Sequence, residues 1–128
     1  MSGKFSLGKK ERIKSRKLIE EIFKSGKRFS EGSYRVFYTI RKNDASNLQF
    51  ATGVSGKVFK RAVDRNKIKR LTRETWRMQK QDLLSKFKNN KSGLYVFITY
   101  TGNEIPAYQE VYKMINNIIK KLNEITGS

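Results

Sequence analysis

The segment Leu94-Tyr95-Val96-Phe97-Ile98-Thr99-Tyr100 constrains the fold most, because its first five residues form an unbroken apolar run in an otherwise polar chain. A strand with one wet face alternates apolar and polar residues. A run of this kind reads as a central strand covered on both faces. It is far below the ~20 residues needed to span a bilayer, so the rest of the chain has to supply the cover.

The flanking sequence predicts that cover. Ser15 is placed to cap a helix in which Leu18, Ile19, Ile22 and Phe23 recur at helical spacing and Gly26 marks the end. Tyr34 to Arg41 alternates as a strand, Asn43 to Asn47 reads as a turn, and Leu48, Phe50, Thr52 and Val54 line a returning strand. The two read as an antiparallel hairpin. Ala62 to about Gln81 reads as a helix and Lys86 to Ser92 as a polar connection. Pro106 suits the first turn of a last helix, whose seam is Val111, Ile115, Ile118, Leu122 and Ile125. The expected fold is α+β, order α-β-β-α-β-α, a small mainly antiparallel sheet covered by helices. If the second and third strands are parallel, they enclose a βαβ unit, for which the base rate is right-handed.

Composition bears on function. The 128 residues fit one domain over 1–128, with 1–12 a flexible basic arm that includes Lys9, Lys10 and Arg12. Lys+Arg number 29 against 11 Asp+Glu, a net charge of +18, and a polyanion is the partner that best explains it. There is no Cys and no His. Thiolate zinc sites, Ser-His-Asp hydrolases and His-based ribonucleases are thereby excluded. The first ten residues lack a signal-peptide core, so a cytoplasmic protein is expected.

The middle helix carries the sharpest signal. On a wheel with Arg65 at zero, Lys69, Arg73, Asn66, Arg77 and Arg70 fall between roughly 0° and 140°. Ile68, Leu71, Thr75 and Met78 fall between roughly 220° and 300°. Like charges four residues apart repel, and acidic partners are scarce here, so a comb of cations for phosphates explains this face better than a solvated surface does. Asn66 fits a ligand contact and a structural hydrogen bond equally. Phe23, Phe37, Tyr38 and Trp76 are candidate stacking platforms for bases, although each also suits a core position. The acids form no active site: Asp44, Asp64 and Asp82 are scattered, and no pair has two-metal spacing.

Arg65-Asn66-Lys67-Ile68-Lys69-Arg70-Leu71-Thr72-Arg73-Glu74, after Val54-Ser55-Gly56-Lys57, resembles the signature of the bacterial ribonuclease P protein family. In that signature, Arg-Asn-Arg-x-Lys-Arg-x-x-Arg-Glu follows Val-Ser-x-Lys, and Lys67 replaces its second Arg. The resemblance covers nearly the whole chain. It implies a left-handed βαβ crossover, against the base rate. It implies a protein that joins a large catalytic RNA, whose magnesium-dependent cleavage removes the 5′ leader of precursor tRNA. The protein would broaden the substrate range and would hold no cofactor of its own. By position, the signature contacts are Arg65, Asn66, Lys69, Arg70 and Arg73, with Arg77 extending the same face. A leader-binding cleft is implied at Phe23 and at Phe37 or Tyr38, with Ile19 where the family places another aromatic. The competing reading is a generic RNA-binding module, such as a ribosomal protein or RNA chaperone. A cationic membrane-surface protein is disfavoured, because the cations oppose a core face and not a lipid-inserting one.

Overall fold

The computed structural model describes residues 12–13, 15–44 and 47–126. Its elements are α1 (Arg16–Ser25), β1 (Lys27–Glu31), β2 (Tyr34–Lys42), β3 (Leu48–Val54), α2 (Ala62–Gln79), α3 (Gln81–Asn89), β4 (Ser92–Tyr100) and α4 (Tyr108–Ile125). The four strands form one sheet in the order β1-β2-β4-β3. β1 and β2 pair antiparallel, as do β2 and β4, while β3 runs parallel to β4. The sheet is mixed and mainly antiparallel, and α2 and α3 lie in the crossover between the parallel neighbours.

The expected hairpin does not form. β4 separates β2 from β3, with Val36 opposite Ile98 on one side and Thr52 opposite Ile98 on the other. The apolar run explains this: a β2–β3 hairpin would have left β4 at an edge, whereas insertion gives it a strand on each side. Asn43 and Asn47 adopt left-handed backbone (φ 56° and 61°) and redirect the chain between β2 and β3.

Strand alternation sorts the side chains into two layers. Val36, Phe50, Val96 and Ile98 face α2, α3 and α4, where Ile68, Leu83, Ile115 and Leu122 meet them in the larger core. Phe37 and Tyr95 face the other way, onto Ile13 and Ile22, with Leu18, Ile19, Ala51 and Phe97 around them.

Two elements were not read from the sequence. β1 is an edge strand whose single apolar residue is Phe29, so it has no alternation to detect. α3 begins after Lys80, which ends α2 in helical backbone, and buries Leu83 and Phe87 one turn apart. In the last helix Pro106 lies ahead of the Ala107 N-cap, whose N–H donates to Glu110 Oε1 at 3.1 Å, and the seam ends at Leu122 because Ile125 is exposed. α1 matches the expected caps: Leu18 N–H donates to Ser15 Oγ at 3.2 Å, and Gly26 closes the helix. A Cβ on Gly26 would collide with the carbonyl oxygens of Ile22 and Tyr38, so glycine lets the helix end seat against β2.

Candidate nucleic-acid interface

The core arc of α2 is wider than the wheel predicted. Ile68, Thr72, Thr75 and Trp76 are buried, whereas Met78 is exposed. Trp76 is fully buried and stacks on Phe50 with centroids 4.5 Å apart and planes 14° from parallel. It is therefore a core residue and no platform for RNA. The arc is displaced toward the cations because this large ring sits at roughly 20° on the wheel, between Arg65 and Lys69.

That displacement divides the comb. Arg65 lies at its boundary and donates through Nη1 to the carbonyls of Phe59 (2.7 Å) and Lys60 (2.9 Å). It thus fastens the loop before α2, a role the wheel did not show. Lys69 is half-buried, and Asn66 is exposed without a side-chain hydrogen bond among the described residues. At the far end, Arg77 Nη2 bonds Glu74 Oε1 at 2.6 Å.

Arg70 and Arg73 converge with a third guanidinium from outside the helix. Arg12, Arg70, Arg73, Glu74 and Arg77 line an open basin of about 200 Å³. Arg12 is placed there by backbone pairing with Phe50, and Ile13 N–H donates to Phe50 O at 3.0 Å. Arg12 is thus fixed on β3 although the sequence put it in a loose arm; Lys9 and Lys10 of that arm lie outside the described residues. Burial first, then the charges of Arg12 and Arg70, hold Arg73 below the usual arginine range. Three crowded cations with Glu74 already bound to Arg77 form a site that an anion would relieve.

A second candidate surface lies beside α1. Phe23 stands 39% exposed, with its ring 4.5 Å from that of Phe37 and 4.8 Å from that of Phe97. Ile19 packs at the margin of the same cluster. Of the two β2 candidates, Phe37 therefore shares this face. Tyr38 is a correction: strand alternation turns it into the opposite layer, against Phe29 at 6.1 Å. Phe97 is an aromatic of this surface that the sequence reading missed, since an unbroken apolar run does not show which residues face which layer.

The register lays two rungs across this face. Arg28, Phe37, Phe97 and Ala51 form one, and Ser30, Arg35, Thr99 and Gly53 form the next. Arg28 and Arg35 are exposed. Arg41 closes one end, bonded to Glu21 Oε2 at 3.0 Å and lying 5.2 Å over the Tyr95 ring, whose hydroxyl donates to Asp44 at 2.6 Å. The candidate surfaces are thus a sheet face of aromatic and cationic groups and an arginine basin.

Among the described residues no group of three His, Cys, Asp or Glu converges as a metal site, and no helix is long and apolar enough to cross a membrane. A family model described as Ribonuclease P matches residues 7–123. The chain is 30% identical to the ribonuclease P protein component of Porphyromonas gingivalis, covering 97% of this chain and 89% of that protein. It is 31% identical to the ribonuclease P protein component of Chlorobium phaeobacteroides, covering 94% and 92%. The fold superposes on the structure of the Staphylococcus aureus RNase P protein with a TM-score of 0.62 at 20% identity, over 88% of this chain and 95% of that one. With its signature helix, α+β sheet and length-wide similarity, this chain belongs to the ribonuclease P protein family.

Proposed function

We propose that this chain is the protein subunit of a ribonuclease P ribonucleoprotein of the bacterial cytoplasm. It binds a catalytic RNA through the flank of α2 around Arg70 and Arg73, joined by Arg12. It holds the 5′ leader of precursor tRNA on the sheet face beside Phe23, and so assists endonucleolytic removal of the leader and broadens the range of substrates. Bond cleavage is left to the RNA and its Mg²⁺. The chain has no imidazole or thiol to act as base or nucleophile. Several of its carboxylates are engaged structurally, Glu21 with Arg41, Glu74 with Arg77 and Asp44 with Tyr95.

The observation that carries this reading is the Arg12–Arg70–Arg73 basin. Folding brings these cations together from two distant segments at a cost in mutual repulsion, which a phosphate offsets. Held between two RNAs, such a surface lowers their repulsion and with it the Mg²⁺ needed for assembly.

Cleavage of precursor tRNA by the cognate catalytic RNA at low Mg²⁺ tests the proposal. Added protein should restore multiple turnover, and Arg70→Ala with Arg73→Ala should raise the Mg²⁺ requirement. Each substitution should weaken RNA affinity by about 1–3 kcal/mol, the range for charged hydrogen bonds. No stimulation by the unaltered protein would leave the generic RNA-binding reading in its place.

A further inference from the structure

We propose that the loop 55–61 is a second phosphate-binding element for RNA, with Lys57, Lys60 and Arg61 as its contacts and Arg65 as the positioning residue that holds it. This rests on the reading that the chain binds RNA through the cationic flank of α2, and it gives a role to residues outside the arginine basin.

Arg65 is the starting point. By position it belongs to the signature contacts, yet its Nη1 donates to the Phe59 carbonyl at 2.7 Å and to the Lys60 carbonyl at 2.9 Å. Both protons of that nitrogen are engaged, so it has none for a phosphate. Charged donors make the stronger class of hydrogen bond, and two backbone carbonyls of the loop are held by one. The rest of the loop is fixed as well. Phe59 N–H donates to Ser55 O at 3.0 Å, and Lys57 N–H to Ser55 Oγ at 3.2 Å. Phe59 is buried with its ring 6.2 Å from that of Tyr100, while the other residues of the loop are exposed.

What this anchoring displays is charge. Lys57, Lys60 and Arg61 are exposed, and none of them forms an ion pair among the described residues. Arg41 and Arg77, by contrast, each hold a carboxylate. Asp64, three residues beyond Arg61, pairs with none of the three cations. Like charges this close in sequence repel, and a loose loop would let them spread. A fixed backbone keeps them together and removes part of the ordering cost of binding an anion. A run of phosphates matches, because it brings one charge for each cation and needs no groove. The element is separate from the basin. Arg65 and Arg73 lie eight residues apart in α2, about 12 Å along the helix axis, so the two ends of this flank meet different phosphates.

Salt titrations of binding test this, with the unaltered protein, a loop variant carrying Lys57→Ala, Lys60→Ala and Arg61→Ala, and Arg65→Ala. Two arms separate the sources of phosphate: the cognate catalytic RNA with the protein, and precursor tRNA with the reconstituted holoenzyme. In at least one arm the loop variant should bind about tenfold or more weakly, and its slope of log affinity against log salt should shrink by about one unit for each phosphate lost. Its melting temperature should stay unchanged, because the three side chains are exposed. Arg65→Ala should weaken binding and flatten the slope in the same arm, and in the loop-variant background it should add less than about twofold. Melts of Arg65→Ala verify the fold, and the loop variant decides the site by itself. An unchanged slope for the loop variant in both arms would overturn the loop site. A fully additive loss from Arg65→Ala in that background would mean that Arg65 meets RNA itself, and would overturn its positioning role. If the unaltered protein bound both RNAs without a steep slope, the RNA-binding reading would fail and the loop site with it.

Discussion

Against one face of the sheet lie three helices, α2, α3 and α4; against the other lie the ten residues of α1 and the segment at Arg12 and Ile13. The first face buries Phe50, Val96, Ile98 and the whole of Trp76, and it pairs the Tyr34 and Thr72 hydroxyls at 2.7 Å, while the buried Trp76 indole N–H has no acceptor among the described residues. The second leaves Phe23 and Phe97 partly open and lines them with Arg28 and Arg35. One layer is closed over by helices and the other is short of cover. A protein of this size has enough apolar surface for one full core, so the incompletely covered face is where a ligand finds aromatic and cationic groups still available.

Removing a large ring from the closed face should have the greatest effect. Trp76→Ala should cost about 3–5 kcal/mol of stability in denaturant unfolding. Trp76→Phe should cost far less, because it keeps a ring against Phe50 and removes a buried indole N–H that has no acceptor among the described residues. Equal losses for the two would mean that the stack with Phe50 contributes little.

The closed face should also respond to alkali. Burial, in first place, pushes the Tyr34 hydroxyl from 10.0 up to about 12, and burial raises Tyr38 and Tyr100 as well. From pH 10 to about 12 the folded chain therefore keeps a proton on Tyr34 that the unfolded chain has released. Its stabilising contribution is complete below pH 10 and is lost across that window. Melts of Tyr34→Phe should show a shallower decline there than the parent, and identical declines would remove Tyr34 as a cause.

On the open face the same kinds of change should do less to stability. Phe23→Ala should cost about 1–2 kcal/mol, since much of the ring is already in water, while weakening precursor binding more than mature tRNA binding. A loss as large as that of Trp76→Ala would make the two faces equivalent and sink the contrast. Smaller still is Ser15→Ala, which removes the α1 cap bond and should cost about 1 kcal/mol with little effect on affinity.

The closed face was the more legible of the two in the sequence. Helical spacing in α4 and alternation in β2 and β3 mark the side that meets the larger core, except that Ile40 and Ile125 are exposed at the element ends and Phe37 is buried on the opposite side of β2. Strand pairing was not legible, because alternation fixes which way a side chain points and not which strand lies beside it. The insertion of β4 between β2 and β3 depends on long-range burial. At the interface, the charge of α2 was plain, but its division was not. Arg65 engages carbonyls six and five residues before it, and Arg12 arrives beside Arg73 only through its pairing with β3. Phe97 was hidden for a related reason, since its place beside Phe23 exists only once α1 lies on the assembled sheet.

The central claim is that Arg12, Arg70 and Arg73 act together on RNA phosphates. Its most direct measurement is the salt dependence of binding to the catalytic RNA, unaltered protein against Arg70→Ala with Arg73→Ala. The slope of log affinity against log salt should be steep and should shrink by about one unit for each phosphate that the double variant no longer neutralises. An unchanged slope in that variant would show that these arginines do not meet the RNA.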